Sequence, residues 1–311
     1  MTLHRFSWLL LVLAIAAGTI DDEPYTRPPV TLGGYRVLAV DFHVHPFPLS
    51  ASTLTPWDLV NEARHQGLDA VAITGHNSAM PGRVARALAS KFGDPTVLVG
   101  EEIHGPVYHM LAIGIEQSIS WRLSAAQAID EIHRQGGVAI AAHPGAAAWP
   151  AFAGDAMRTL DASEIVQPLI FGSERFTREL REFNQRGHFT ATGSSDYHGL
   201  GPVGICRTYV FARDNTAASI LEALRAGRTV VYGPGQIYGD PVLVALASRD
   251  ARLPDPQPRD GWFTVASRIL GMIGLIGVAF LTPDRCPALN PPSRFSRSEY
   301  PAPRPPSDPQ S

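Results

Sequence analysis

Short apolar runs alternate with amphipathic stretches through the middle of the chain, and this alternation predicts a strand–helix–strand order. Strands are expected over residues 35–40, 70–74, 96–99, 107–115, 138–142, 164–167, 189–192 and 229–232, each bounded by polar or Gly/Pro punctuation. Helical spacing of apolar positions predicts helices over 55–66, with Pro56 in the first turn, and over 83–91, 125–135, 174–186 and 217–226. Gly136-Gly137 stops the third of these. An alternation this regular argues for a parallel α/β barrel or an open sheet, built from residues 34–250.

The flanks follow a different pattern. His4 and Arg5 precede an uncharged run over 6–20, and Asp21, Asp22 and Glu23 follow it. The run is short for a spanning helix, and Ala14-Ile15-Ala16 offers a small-x-small cleavage site, so residues 1–23 read as a signal peptide or an N-terminal anchor. A second apolar stretch, 262–281, is broken only by Arg268 and has the length of a transmembrane helix. Trp262 and Phe263 suit an interfacial belt, and Arg285, Arg294, Arg297 and Arg304 beyond the stretch suit a cytoplasmic tail. Export or membrane association is expected, with the globular unit outside the cytoplasm. Proline-containing segments at 24–33 and 251–260 read as linkers, and the Pro-, Ser- and Arg-rich residues 283–311 as a disordered tail.

Composition narrows the function. A net charge of −3 gives no basic surface for nucleic acid. The two cysteines, Cys206 and Cys286, have no CxxC or His-rich surroundings and read as free thiols. Lys91 is the only lysine and falls on a predicted helix, which argues against a lysine-bridged metal pair of the amidohydrolase kind.

The candidate chemistry begins at Asp41-Phe42-His43-Val44-His45. In an extended strand His43 and His45 project from one face, with Asp41 two residues before them, and two imidazoles so placed can share a metal ion. His76, Glu102, His109, His143 and the Asp196-x-His198 pair follow, each near the end of a predicted strand. Groups gathered at the ends of many strands favour a barrel, since an open sheet concentrates its chemistry in one crevice. Glu101 is an alternative to Glu102, and Glu164 either lines the pocket or serves as a structural carboxylate. His4, His65, His133 and His188 lie outside the pattern and His104 is not assigned to it. Arg207 and Arg228 could meet an anion but are expected to be paired at the surface.

These stretches, taken with Gly67-Leu-Asp-Ala-Val-Ala-Ile-Thr-Gly-His76-Asn77, Gly100-Glu-Glu102-Ile, Ala142-His143-Pro144 and Gly193-Ser-Ser-Asp196-Tyr-His198, resemble the PHP (polymerase and histidinol phosphatase) metallohydrolases over about residues 38–232. The resemblance implies an α/β fold, a distorted seven-stranded (β/α) barrel, with metals at its C-terminal mouth. It implies one ion on His43, His45, Glu102 and Asp196, and a second on Glu102, His109 and His143. His76 and His198 match ligands of the family's third ion, but Ala51 stands where its remaining ligand is expected and cannot ligate. Two divalent ions (Zn, Mn or Fe) are therefore expected. Gly75 also departs from the family, which usually has Asp there. The implied activity is hydrolysis of a small-molecule ester by a metal-bound hydroxide, with phosphoesters first. Leu221-Glu-Ala-Leu-Arg-Ala-Gly-Arg228-Thr-Val resembles the branch that includes carbaryl hydrolase, which makes carboxyl or carbamate esters the alternative. A membrane-tethered metal-binding module without catalysis is the reading of a different class.

Overall fold

The computed structural model describes residues 3–20, 23–25, 27–50, 52–89, 95–167, 173–199, 201–233, 236–250, 253 and 261–280. After α1 (Leu3–Gly18) the chain forms β1 (Val30–Leu32) and β2 (Tyr35–Val44), then α2 (Pro56–His65), β3 (Ala70–Ile73), α3 (Met80–Ala89), β4 (Thr96–His104) and β5 (His109–Ile113). It continues through α4 (Ala125–Arg134), β6 (Val138–Ala141), α5 (Asp155–Thr159), β7 (Ala162–Val166), α6 (Glu174–Gly187) and β8 (Thr190–Gly193). The last elements are β9 (Thr208–Ala212), α7 (Ala217–Arg225), β10 (Thr229–Gly233), β11 (Gln236–Gly239), α8 (Pro241–Ala247) and α9 (Trp262–Phe280).

One sheet runs β11-β10-β9-β2-β3-β4-β5-β6-β7-β8, with β1 added on β2. The expected seven strands are therefore too few, and the expected parallel sheet is mixed. β2–β3–β4 and β6–β7–β8 are parallel, whereas β5 and β9 run against their neighbours. β9, unforeseen in the sequence, joins β2 to β10. Threonine hydroxyls bring β8 against the other end of the sheet. Thr208 Oγ1 accepts from the Gly193 amide and donates to its carbonyl, both at 2.9 Å, and Thr229 Oγ1 donates to the Ala191 carbonyl at 2.8 Å. The result is a nearly closed barrel.

Leu38, Val40 and Phe42 of β2 gather with Ala70, Leu98, Leu111, Ile140, Ala162 and Val210 as the apolar fill of that barrel, and Ile220 and Leu224 of α7 plug its base. The alternate residues Val37 and Ala39 belong to a second cluster, with Leu59 and Val60 of α2. The helix starts are set by local chemistry as the sequence suggests. Thr55 caps α2 in a reciprocal capping box with Asp58, and Ser124 does the same for α4 with Gln127.

The two flanking helices pack on each other and on this barrel. α9 is long and apolar enough to cross a membrane. Arg268, expected as a flaw in that span, pairs with buried Glu62 of α2 at 3.0 Å. Within the expected linkers, 30–32 forms β1 and Leu253 is buried against the barrel. Lys91, Cys286 and the expected tail 283–311 lie outside the described residues.

Candidate metal centre

The register between β2 and β3 shifts between Asp41 and Val44. Regular alternation would place His43 on the face opposite Val40 and Phe42. The shift instead lets His43 meet Glu102 and Glu164, which share the interior face of β4 and β7 with Leu98 and Ala162. It also separates Asp41 from the histidines, correcting the expectation that all three share a face. Asp41 is wholly buried and accepts the amides of His43 (3.2 Å), Ser195 (3.0 Å) and Gly204 (2.8 Å). Burial pushes its carboxyl up despite these donors. Asp41 thus ties the end of β2 to the loop that carries Asp196 and His198.

All eight predicted residues reach the barrel mouth. His43 and His45 close β2. His76 follows β3, in a bridge that prolongs the β3–β4 pairing to Glu102. His143 follows β6, and Asp196 and His198 follow β8. His109 differs: it starts antiparallel β5 rather than ending a strand, because β5 returns toward the base.

Glu102 lies at the centre. Its Oε2 is 3.6 Å from His43 Nε2, 3.4 Å from His45 Nε2 and 3.1 Å from His76 Nε2, and its Oε1 is 2.9 Å from His109 Nδ1 and 3.3 Å from His143 Nε2. Asp196 Oδ1 lies 3.3 Å from His43 Nε2, 3.1 Å from His45 Nε2 and 3.3 Å from His198 Nδ1. Gln167 Nε2 donates to the other Asp196 oxygen at 2.8 Å. The Nε2 atoms of His43 and His45 face each other at 2.9 Å. Atoms bound to one ion at about 2.0–2.2 Å lie roughly 3–3.6 Å from one another, so these spacings are those of a ligand shell. Among the described residues four groups are compact enough for an ion, and three consist wholly of predicted residues: His43-His45-Asp196, His43-Glu102-His143 and His45-His76-His198. The last supplies a third neighbour for the His76 and His198 pair. Ala51 lies outside the described residues.

The electrostatics are those of a donor set crowded around too few protons. Burial pulls the His43 imidazole down, but Asp196, Glu164 and Glu102 outweigh it and hold its pKa well above the usual histidine value. Burial drives His45 down to about 3. Glu102 and Asp196 are held well below the usual carboxylate range: burial opposes this, and the His43 charge and histidine hydrogen bonds overcome it.

Two residues outside the predicted set belong here. His104 Nδ1 is 3.9 Å from Glu102 Oε2, and His76, Glu102 and His104 form a further compact group. Its place two residues after Glu102, on the same face of an extended strand, was the available signal. Glu164, fully buried, meets His43 Nδ1 at 3.0 Å and accepts the His143 amide at 2.8 Å. It fixes the His43 tautomer and aims Nε2 inward, as carboxylates behind metal-bound histidines do. Glu164→Gln is expected to weaken metal binding by about 10–100-fold. An amide oxygen can serve only one of the two donors, and its NH₂ opposes the other. Competition with a chromogenic chelator measures this, and unchanged affinity would restrict Glu164 to a structural part.

The remaining candidates lie elsewhere. Glu101 Oε1 accepts the Ile119 amide at 2.6 Å, away from the histidines. His133 pairs with Asp161, and His65 contacts the Glu23 carbonyl. Arg207 donates to the Gly204 and Gln66 carbonyls. Arg228 pairs with Glu222 and donates to the Phe211 carbonyl. The segment likened to carbaryl hydrolase therefore forms the end of α7 and the start of β10, at the base of the barrel.

Residues 175–229, from α6 to the start of β10, match the PHP_C family model, described as PHP-associated. Uncharacterized protein MJ1587 of Methanocaldococcus jannaschii is 34% identical over 89 residues, which are 29% of this chain and 52% of that protein. The chain thus spans about half the length of that relative. Among solved structures, a two-domain Bacteroides vulgatus protein containing a predicted PHP-like metal-dependent phosphoesterase is similar over 68% of this chain and 69% of its own, with 22% identity and a TM-score of 0.54. PsfC from Pseudomonas syringae covers 79% of this chain and 99% of its own at 14% identity and a TM-score of 0.42.

Proposed function

We propose that this chain, which carries a PHP-associated segment on the fold of a PHP-like protein, is a metal-dependent hydrolase of phosphoesters with a dinuclear centre, tethered to a membrane with its barrel outside the cytoplasm. The observation that carries the reading is the division of the Glu102 carboxylate, with one oxygen toward His43, His45 and His76 and the other toward His109 and His143. A carboxylate so placed can bridge two ions. His43, His45 and Asp196 would complete one shell, and His109 and His143 the other. The mixed imidazole and carboxylate donors suit Zn, Mn or Fe. Such a pair, when bound, acidifies water to a nucleophile at neutral pH and clamps the oxygens of an in-line displacement.

The chain's own residues hold and aim that centre. Glu164 sets the His43 tautomer, Gln167 fixes the Asp196 rotamer, and Asp41 anchors the Asp196 loop. His76, His104, His109, His143 and His198, whose side chains are 22–45% exposed, line the open side and are the groups a substrate phosphoryl would meet. Purified protein loaded with Mn or Zn should hydrolyse p-nitrophenyl phosphate or a bis-phosphodiester faster than p-nitrophenyl acetate or an aryl carbamate. Preference for the carboxyl or carbamate ester would transfer the assignment to that class. No turnover together with near-zero metal content would favour a binding module.

A further inference from the structure

α1 and α9 lie antiparallel against each other. Gly274 of α9 sits where an added Cβ would come within 2.9 Å of the Leu11 amide nitrogen and 3.0 Å of the Ser7 carbonyl oxygen. At the other end, a Cβ on Gly18 of α1 would meet Ser267 Oγ at 3.0 Å and Leu54 at 2.7 Å. The two backbones thus approach through small residues, as helices do in lipid. The outward faces are apolar: Phe6, Leu9 and Leu13 on α1, with Ile269, Ile273 and Ile276 on α9, are all more than 40% exposed. An exposed apolar surface of this kind needs a cover.

Charge says what the cover is. Both free ends of the pair carry basic residues, Arg5 in the first turn of α1 and Arg285, Arg294, Arg297 and Arg304 after α9. Two apolar segments whose outer ends are both arginine-flanked have the charge pattern of a hairpin entering and leaving on one cytoplasmic side. A soluble partner would require apolar faces alone.

The hairpin is also fastened to the metal mouth. Arg268 pairs with Glu62, Thr264 Oγ1 donates to Glu62 at 3.0 Å, and Ser267 Oγ donates to Thr53 Oγ1 at 3.1 Å. Tyr197, fully buried between Asp196 and His198 in the chain, clusters with Leu54, the residue that Gly18 of α1 abuts. Gly199 and Gly201, just past His198, form a groove with Ile269, Met272 and Ile273. Arg268 therefore marks the barrel surface, and the twelve residues of α9 beyond it, Ile269 to Phe280, extend about 18 Å. A hydrocarbon core is about 30 Å thick. Such a span falls about 12 Å short of that thickness, so crossing requires the bilayer to thin around the hairpin and brings the barrel rim to the headgroup layer.

We infer that α1 is retained in the mature protein and pairs with α9 as an antiparallel membrane hairpin, which holds the rim of the metal centre at the lipid surface and selects phosphoesters with an apolar tail. The hairpin stands independently of the hydrolase reading; the substrate class rests on it.

The full chain, expressed in membranes, should resist an alkaline carbonate wash and show an intact mass that includes α1. Bimane is then placed on Phe6→Cys, on Leu49→Cys in the loop after β2, or on Gln117→Cys, each with Cys286→Ser. Gln117 follows β5 at the base of the barrel. In vesicles of phosphatidylcholine and phosphatidylglycerol with acyl-brominated phosphatidylcholine, quenching is expected at positions 6 and 49 and not at 117. Release by carbonate, a mass lacking α1, or an unquenched probe at position 6 overturns the hairpin; an unquenched probe at 49 overturns the placement of the mouth. With the probes quenched, the metal-loaded protein should release phosphate from phosphatidic acid in those vesicles at least 10-fold faster than from glycerol phosphate. A preference for glycerol phosphate overturns the substrate class alone. Turnover of neither, nor of any p-nitrophenyl phosphoester, overturns the phosphoesterase reading and leaves the hairpin standing.

Discussion

Glu102→Gln is expected to lower kcat/KM by about 10²–10³-fold or more and to reduce the bound metal from two equivalents toward one. The scale follows from related losses: removing one preorganised electrostatic group costs about 10²–10³, and removing a residue behind a metal ligand already costs about 10–100-fold in affinity or activity. Glu102 serves both halves of the cluster, so its loss should exceed either. Glutamine keeps the shape but replaces one carboxylate oxygen with an NH₂ that cannot ligate. Whichever way the amide turns, one set is deprived, either His43, His45 and His76 or His109 and His143. The neighbouring Glu101→Gln is the matched control, since Glu101 holds the Ile119 amide and leaves the cluster alone. Elemental analysis of both variants beside their kinetics decides the matter. Full metal content and full turnover in Glu102→Gln would show that the carboxylate does not bridge.

The same residue shows what a sequence can reveal and where it stops. The sequence places Glu102 and His143 just beyond the apolar cores of two strands, because β4 and β6 are regular and buried. The alternation failed at Asp41, where the register shift turns the two histidines inward and leaves the carboxylate to hold the Asp196 loop. A bulge leaves no mark in the hydrophobic pattern, since every residue from Leu38 to Val44 is buried. β9 is hidden in the sequence because Thr208–Ala212 follows a glycine-rich loop with no helix before it, so no alternation of strand and helix marks it. The threonine bonds that close the barrel depend on contacts between residues distant in sequence. Ligand order could be read locally; the role of Glu164 could not, since His43 lies 121 residues away. Arg268 shows the same limit: alone it breaks an apolar stretch, and only the fold supplies Glu62.

His143→Ala should remove most activity, by about 10²-fold or more, while leaving the barrel folded. His143 Nε2 lies 3.3 Å from Glu102 Oε1 and 3.9 Å from Asp196 Oδ2, so the imidazole stands between the two carboxylates on the open side. Losing it leaves His109 as the one other imidazole within 3.3 Å of Glu102 Oε1 among the described residues. The second ion is then held by fewer protein ligands than the three typical of catalytic zinc. Stability should change little, within about 0.5 kcal/mol as for side chains outside the core. The His143 side chain is 22% exposed, and its backbone stays fixed through the amide bond to Glu164, which alanine retains. The left-handed backbone at His143, φ 31°, suits histidine better than alanine, so the exchange adds a small strain there rather than releasing any. Free imidazole should restore part of the lost rate by refilling the gap, which a merely distorted site would not allow. Unchanged turnover would move the reaction to the side of Glu102 that faces His43, His45 and His76, and would leave His109 and His143 as the wall of the mouth.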